Sequence, residues 1–250
     1  MQQSARDIPP FQATPPPNTA PPPKAEKSVA REYAEALVIA VILAVLIRTF
    51  LFQAYKIPSG SMEPTLLIGD HILVNKAAYG IRMPDSIFGL HSGPLPYGQY
   101  LIRYAPIHRG DVVVFVYPAD RTKDFIKRVV GISGDTVQIK DGQVWLNGKP
   151  MPDPHAHIEV PPAERSPSNP RDYFGPVTVP KGKMFMMGDN RDRSLDSRYW
   201  GFADENDAEG RALFIYFPWE EEKAETEPVW YQLVFWYKFV DWNRIGEIIH

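Results

Sequence analysis

The stretch DTVQIKDGQVWLNGKPM, residues 135–151, decides the fold, because two turn dipeptides interrupt short runs of alternating polar and apolar residues. Asp141-Gly142 and Asn147-Gly148 are pairs that favour two-residue hairpin turns, in which both central residues take positive φ angles. The alternation places successive side chains on opposite faces of a strand. We therefore predict a hairpin that joins residues 137–140 to residues 143–146, followed by a second tight turn.

Runs of the same character flank this hairpin on both sides. They are rich in Val, Ile, Phe and Tyr and are punctuated by Gly, Pro, Asp and Asn, which is typical of strands and turns. The runs are HILVNKAAY (71–79), GDVVVFVYP (110–118), DFIKRVVGIS (124–133) and GPVTVPKGKMFMMGD (175–189). Many short strands predict a mainly β domain, built as a folded-over antiparallel sheet or barrel. After residue 57 we expect one short helix, in ENDAEGRAL (205–213).

Two segments of the β-rich part differ from the strand runs. Residues 152–176 are loop-like and rich in proline, and we assign about 136–180 to a cap-like insertion. His155 and His157 lie there without the helical spacing of a metal site, so we assign them to a surface loop. VWYQLVFWYKFVDW, residues 229–242, favours a final pair of strands. Its aromatic content is also compatible with a patch at a membrane interface.

An apolar segment precedes the β-rich part. YAEALVIAVILAVLIRTFLFQAY, residues 33–55, contains an uninterrupted apolar run at 36–47. A bilayer-spanning helix needs about 20 predominantly apolar residues. We predict a transmembrane anchor helix over 33–55; a buried core helix and a cleaved signal peptide are the alternatives. A signal peptide would begin with a short charged segment, whereas a long proline-rich stretch precedes this run.

The flanks of the apolar segment predict its orientation. Residues 1–28 carry repeated PPP runs and are expected to form a disordered tail. A slight excess of cations precedes the helix: Lys24, Lys27 and Arg31 stand before it, against Arg48 and Lys56 after it. This bias predicts a single-pass protein with a cytoplasmic N-terminus. Residues 56–250 then form an extracytoplasmic domain.

Composition excludes several kinds of function. The chain of 250 residues has a formal net charge of −3, so it shows no electrostatic footprint for nucleic acid. Cysteine is absent, which excludes disulfides, thiolate nucleophiles and cysteine-ligated metals. Neither a metal nor an organic cofactor is predicted.

The chemistry of the chain starts from two serines on a turn-rich loop. KIPSGSMEPTLLIGDHILVNK, residues 56–76, places Ser59 and Ser61 on either side of one glycine. A serine hydroxyl is a weak nucleophile unless a base activates it. No GxSxG elbow is present, and a lysine acts as the base only where apolar surroundings favour its neutral form. DFIKRVVGI surrounds Lys127 with apolar residues, although one charge on a half-exposed strand is also ordinary.

A set of motifs in one order identifies a family. The motifs are IPSGSMEPTL (57–66), GDHILVNK (69–76), RGDVVVF (109–115), FIKRVVGISGD (125–135) and GDNRDRSLDSRYWG (188–201). Together with the apolar segment before them, they closely resemble the bacterial type I signal peptidases, the leader peptidases of the serine–lysine class. The resemblance covers about residues 36–217. It implies a membrane-bound serine endopeptidase that removes signal peptides from exported preproteins, cleaving after small residues at positions −1 and −3.

The resemblance also implies roles for particular residues. Ser61 is the expected nucleophile, which forms an acyl-enzyme intermediate, and Lys127 is its general base. The Ser61 backbone N–H and the Ser59 hydroxyl are the expected oxyanion hole. Further residues complete the site: Ser194 is expected to orient the lysine, Asp196 and Arg198 to support the loop, and Ile57, Met62 and Ile126 to line the substrate pockets.

Two positions depart from the family pattern. Arg193 stands in the place of an asparagine, where an inward-pointing cation would lower the pKa of Lys127 further, and Ser133 stands where proline is common.

The expected partners are preprotein signal peptides, membrane lipid and the secretion translocon, at the inner (plasma) membrane with a periplasmic catalytic domain. Two alternatives remain: the related serine–lysine autoproteases of DNA-damage repressors, and a membrane-tethered β-domain that binds partners without catalysis.

Overall fold

A computed structural model describes residues 29–84 and 98–250. The predicted tail, residues 1–28, lies outside the described residues. The chain divides into two compact units, Met1–Val41 and Ile42–His250. The second unit contains the β-structure.

The first described element is helix α1, Val29–Phe50, with 22 residues. At about 1.5 Å per residue it is about 33 Å long, which matches the hydrocarbon core of a bilayer. Its length and apolar composition fit a membrane-spanning segment, and none of its residues is buried. The predicted helical range of 33–55 was wrong at its end, because Phe52–Lys56 pairs with a neighbouring strand and is extended.

Within the described residues, thirteen strands follow α1. They are β1 (Phe52–Lys56), β2 (Asp70–Asn75), β3 (Gly80–Arg82), β4 (Tyr100–Arg103), β5 (Val112–Val116), β6 (Asp124–Gly131), β7 (Thr136–Lys140), β8 (Gln143–Leu146), β9 (Lys149–Pro150), β10 (Phe174–Thr178), β11 (Lys183–Met187), β12 (Ala203–Asp204) and β13 (Ala208–Pro218). Three short helices accompany them: α2 (Ser197–Trp200), α3 (Glu221–Glu225) and α4 (Val229–Val234).

The strands form a curled antiparallel sheet and two smaller sheets. The main sheet has the order β1-β2-β13-β5-β6-β11-β12 and curls as a half-barrel. A second sheet has the order β10-β7-β8-β9, and β3 pairs with β4. The prediction of a mainly β, folded-over antiparallel domain with an N-terminal apolar helix is therefore confirmed.

The two predicted turns close the hairpins of the second sheet. Lys140 pairs with Gln143 across the first turn, and Leu146 pairs with Lys149 across the second. The first residue of each turn has a positive φ, 53° at Asp141 and 52° at Asn147, as does the glycine that follows it. These are the angles that the turn dipeptides favour, so local sequence is enough to specify these two hairpins.

Three clusters of buried side chains fill the domain. One lies beneath the loop that carries Ser61, residues 57–69, and includes Ile57, Met62 and Leu66. A second packs around Phe115 and Val129. The third joins the second sheet to the main one; its buried members are Val130, Val137, Ile139, Val144, Val179, Phe185 and Met187. The clusters hold β6 from both of its faces, which fixes the strand that carries Lys127.

The prediction of a short helix in ENDAEGRAL, residues 205–213, was wrong. Only Glu205–Asp207 forms a single 3₁₀ turn, and the rest of the segment begins β13. Strand β13 pairs with β2 on one side and β5 on the other. Ladder hydrogen bonds on both edges of a central strand outweigh the weak helical preference of a few residues.

The strand pair expected in residues 229–242 was also wrong. The segment forms α4 and a 3₁₀ turn at Trp236–Lys238. Pro228 precedes α4, and Tyr231 packs on Phe235 one turn later with ring centroids 4.6 Å apart. The aromatic pair at helical spacing favours α4, and the extended pairing of the segment is limited, among the described residues, to one isolated antiparallel bridge between Val240 and Trp219. The alternative of a membrane-interface patch stays a prediction.

Gly148→Ala tests the second hairpin turn. Gly148 has φ 79°, and nothing lies within 4 Å of the position that a Cβ would take. The substitution should therefore act through backbone strain alone and lower the free energy of unfolding by about 1–2 kcal/mol. Thermal unfolding in detergent measures this, with Lys149→Ala as the neighbouring exposed control. Equal stability of the two variants would contradict the turn assignment.

Candidate active site

Ser61 and Lys127 meet at the surface of the curled sheet. Ser61 lies in a 3₁₀ turn, Gly60–Met62, shortly after β1, and Lys127 lies in β6. The Nζ of Lys127 is 2.6 Å from the Oγ of Ser61 and donates to the carbonyl of Ile126 at 3.0 Å. Both side chains are buried, with 8% of Ser61 and 4% of Lys127 exposed. The structure therefore joins a hydroxyl and an amine that are 66 residues apart in the chain.

Burial lowers the pKa of the Lys127 amine from 10.5 to about 8. The main cause is the loss of solvent around the charged form, and the carboxylates of Asp196 and Asp189 oppose the shift. A lysine with this pKa has an accessible neutral form near physiological pH. It can then accept a proton from a hydroxyl within hydrogen-bond distance.

The two opposing carboxylates are each bound by an arginine. Arg128 donates from two nitrogens to Asp189 at 2.8 and 2.7 Å, and Arg198 does the same to Asp196 at 2.8 Å for both bonds. All four side chains are almost fully buried. Bidentate pairing with an arginine offsets the charge of each carboxylate. Lys127 therefore shares the site with two acids without forming an ion pair with either.

The loop that carries these acids also contacts the nucleophile loop directly. Thr65 donates from its hydroxyl to Asp189 at 2.6 Å, and the backbone N–H of Asn190 donates to the carbonyl of Ser61 at 3.2 Å. A Cβ at Gly188 would overlap the Ser61 carbonyl oxygen and the Ser194 side chain. Only glycine permits this approach, so residues 188–190 set the position of Ser61.

The two further serines of the prediction lie close to this centre. Ser59 is exposed and lines the cavity above Ser61. The hydroxyl oxygen of Ser194 is buried and has no hydrogen-bond partner among the described residues. The orienting role assigned to Ser194 has no hydrogen bond to support it among the described residues, and it stays a prediction.

A cavity of about 460 Å³ opens over the pair, and we call it the Ser61 cavity. Ile126, one of the three predicted pocket residues, lines it together with Phe125 and Leu195. The other two, Ile57 and Met62, are 2% and 0% exposed and belong to the core cluster beneath it. They support the cavity floor from below, and Ile126 is the predicted pocket residue that reaches its surface.

One edge of β6 beside the cavity is open. Residues Asp124–Lys127 pair with β5 on one side, whereas β11 pairs with β6 only from Arg128 onward. In the part of the chain that the structure describes, no strand covers the remaining edge. An extended peptide placed there would form main-chain hydrogen bonds next to Ser61.

The two departures from the family pattern have defined surroundings. The side chain of Arg193 is 70% exposed and pairs with Glu159 at 3.2 Å, at the rim of the cavity. It does not figure among the causes of the shifted pKa of Lys127. Ser133 accepts the N–H of Gly182 at 2.9 Å and donates to Glu205 at 3.1 Å, so it links two loops away from the site.

Some supporting residues were not identified from the sequence. Arg128, Thr65, Gly188 and Asn190 all hold the pair or its loops, yet each has its partner far along the chain. The assignment of His157 to a surface loop did not predict its contact with the site: the backbone N–H of His157 donates to the backbone carbonyl of Asp189 at 2.7 Å. The only local signal was the position of Arg128 directly after Lys127.

Comparisons with known proteins agree on one family. A family profile described as signal peptidase, peptidase S26, matches residues 30–219. Signal peptidase I of Pseudomonas aeruginosa is 34% identical over 79% of this chain and 76% of its own. Signal peptidase I of Bacillus licheniformis is 36% identical over 76% and 90%, and one from Bacillus amyloliquefaciens is 37% identical over 80% and 94%. A solved signal peptidase I from Enterococcus faecalis V583 covers 43% of this chain and 97% of its own at 29% identity, with a TM-score of 0.34.

Asp189→Asn tests the buried ion pair. It removes the only carboxylate that pairs with Arg128 among the described residues and leaves this buried guanidinium with the carbonyl oxygens of Gly110 and His250 as acceptors, so the free energy of unfolding should fall by about 3–5 kcal/mol. Asp204→Asn is the matched control, because its pair with Lys183 is about one-third exposed on both sides and should contribute less than about 1 kcal/mol. Thermal unfolding of both variants in detergent distinguishes them. An equal loss would show that burial of the Arg128 pair is unimportant.

Proposed function

The chain belongs to the signal peptidase family, peptidase S26, and we propose that it cleaves signal peptides by a serine–lysine mechanism with Ser61 as the nucleophile and Lys127 as the general base. The observation that carries this proposal is the 2.6 Å contact between Ser61 Oγ and Lys127 Nζ in a buried site. As a signal peptidase the chain is a hydrolase, which sets aside the alternative of a binding domain without catalysis.

The proposed reaction is an acyl transfer through a covalent intermediate. Neutral Lys127 takes the proton of the Ser61 hydroxyl as Oγ attacks the carbonyl carbon before the scissile bond. The protonated amine then gives its proton to the departing nitrogen, which becomes the new N-terminus of the mature protein. Lys127 next removes a proton from the water that attacks the ester. It returns this proton to the Oγ of Ser61 as the ester bond breaks, and the signal peptide leaves with a free carboxyl end.

The oxyanion of each tetrahedral intermediate requires hydrogen-bond donors. We assign this role to the backbone N–H of Ser61 and the hydroxyl of Ser59, which lie on either side of Gly60. Ser59 lines the Ser61 cavity and is exposed, so its hydroxyl is available to a bound substrate. Donors aimed at the developing charge typically contribute about 10²–10³-fold to such a reaction.

The open edge of β6 supports a binding mode for the preprotein. An extended segment pairs with Asp124–Lys127, and its alternate side chains point toward the cavity floor. Ile126 and the buried Ile57 and Met62 leave shallow apolar space there, which favours small side chains at positions −1 and −3. The geometry suits the extended end of a signal peptide and requires no cofactor.

The anchor helix brings the enzyme to its substrate. We propose that α1 spans the inner membrane once, with the N-terminus in the cytoplasm and the β-rich domain on the outer side. A signal peptide is itself held in that membrane by its apolar segment. Confinement of both partners to one surface raises their effective concentration. Membrane lipid and the secretion translocon are the remaining proposed partners.

Ser61→Ala and Lys127→Met test the proposed pair. In detergent, the intact chain should cleave a preprotein with an Ala-x-Ala site after the second Ala, and each variant should lose about 10²–10⁴-fold or more in kcat/KM. Lys127→Met should unfold at no lower temperature than the parent at pH 7, because the buried amine binds its proton less tightly than in the unfolded chain and so costs stability below its unfolded pKa of about 10.5.

Ser168→Ala and Lys149→Met are controls that remove the same groups from the exposed surface. They should cleave at the rate of the parent. Normal cleavage by Lys127→Met would show that the base is another group. Normal cleavage by the Ser61→Ala variant would exclude Ser61 as the nucleophile.

The pH dependence of cleavage follows from the lowered pKa of Lys127. With a pKa of about 8, roughly one amine in ten is neutral at pH 7 and roughly nine in ten at pH 9. Because the neutral form is the active one, kcat/KM should rise about tenfold over this interval and level off above it. A pH–rate profile on a substrate without titratable side chains measures this rise in kcat/KM. A rate that falls as the pH rises from 7 to 9 would contradict a lysine base.

A further inference from the structure

Glu63 lies two residues after the proposed nucleophile, and its side chain turns back over the nucleophile loop. Its backbone N–H donates to the carbonyl of Gly60 at 3.2 Å, which closes a tight turn. A Cβ built on Gly60 would lie 2.7 Å from both carboxylate oxygens of Glu63. The carboxylate therefore covers the residue that separates Ser59 from Ser61.

Glu63 also stands where two cavities meet. It lines the Ser61 cavity and a larger neighbouring cavity of about 990 Å³, and the two share Pro58, Glu63 and Ile68 as a common wall. We call the larger cavity the acidic groove; its further lining comes from the end of β1 and from residues 220–226. A polypeptide that leaves the Ser61 cavity toward the acidic groove must pass the Glu63 carboxylate.

The negative charge at this junction has no compensating cation in the part of the chain that the structure describes. Among the described residues, Glu63 forms no ion pair and no side-chain hydrogen bond. The two lysines of the groove are already engaged, Lys56 with Glu221 at 2.6 Å and Lys223 with Glu220 at 3.1 Å. Glu222 and Glu225 remain without an ion pair in the same lining, so the groove beyond Glu63 carries excess negative charge as well.

We propose that Glu63 is a specificity-determining residue, whose carboxylate favours a basic over an acidic substrate side chain next to the scissile bond. The inference rests on the proposed function, since it takes Ser61 as the nucleophile. It adds a charge preference to a reaction whose other requirement is small side chains at two positions.

The physical argument concerns the charge that develops during the reaction. The tetrahedral intermediate places a negative oxygen near Ser59 and Ser61, next to the Glu63 carboxylate. A lysine or arginine of the substrate at this junction pairs with Glu63 and offsets its repulsion of the oxyanion. An acidic side chain adds a third negative charge. Because Glu63 is only partly buried, a difference of about 3- to 10-fold between the two substrates is expected.

The experiment uses the full chain in detergent and one preprotein with alanine at −1 and −3. Positions −2, +1 and +2 are changed in turn to Lys, Gln and Glu, and kcat/KM is measured for each substrate. At one of these positions the parent should cleave the Lys substrate about 3- to 10-fold faster than the Glu substrate. In Glu63→Gln the two rates should agree within about twofold. Added salt should weaken the preference of the parent, because the groups are partly exposed.

Glu164→Gln is the matched control, since it removes the same charge from an exposed 3₁₀ turn that lines neither cavity. It should keep the preference of the parent. The proposal is overturned if the parent shows no preference at any of the three positions, if Glu63→Gln keeps it, or if Glu164→Gln loses it equally. The proposed function fails separately, if the parent does not cleave even the Gln substrates.

Discussion

The contact between a buried amine and a buried hydroxyl is the constraint on which the rest of the site depends. A charged lysine is costly to bury, so the site favours the form without its extra proton. Carboxylates nearby would reverse this preference by pairing with the ammonium. Asp189 and Asp196 are close enough to oppose the shift, yet Arg128 and Arg198 occupy their oxygens. The two ion pairs therefore hold the loop in place and leave Lys127 without an anionic partner.

The same ion pairs explain how two distant parts of the chain are held in register. Asp189 accepts from Arg128 in β6 and from Thr65 beside the nucleophile loop, so one carboxylate connects the strand of the proposed base to the loop of the proposed nucleophile. Gly188, next to it, permits the close approach of the Ser61 carbonyl. A distance of 2.6 Å between two flexible side chains needs such a rigid frame, because a small displacement would break it.

Local sequence predicted those elements whose structure depends on local interactions. The hairpin turns at 141–142 and 147–148 formed as expected because their residues favour positive φ angles. The central strand β13 was misread over residues 208–213, since its pairing with β2 and β5 cannot be seen in the segment itself. The prediction for the aromatic segment after Pro228 failed for the opposite reason. Its helix forms through local contacts, but aromatic residues are also common in strands, so the segment was predicted to be extended.

The site illustrates the same limit. The apolar neighbours of Lys127 made it a candidate base, but one charged residue on a strand is ordinary, and the family motifs were needed to select it. The motifs supplied Arg198 and Asp196 as a supporting pair, but they did not supply Arg128 as the partner of Asp189, nor the absence of a hydrogen-bond partner for the Ser194 hydroxyl among the described residues. These depend on contacts between β6 and a loop about 60 residues later in the chain.

The open edge of β6 and the lowered pKa of Lys127 are connected through the substrate. If Ser61 is the nucleophile, as proposed, the edge at Asp124–Lys127 has to stay free of a permanent strand so that a substrate can reach Ser61 from that side. In the proposed mechanism the preprotein itself covers it. A bound peptide would remove the remaining solvent around the amine and disfavour its charged form further. Substrate binding would then complete the desolvation that the fold begins, so that the base is most effective when a scissile bond lies beside it.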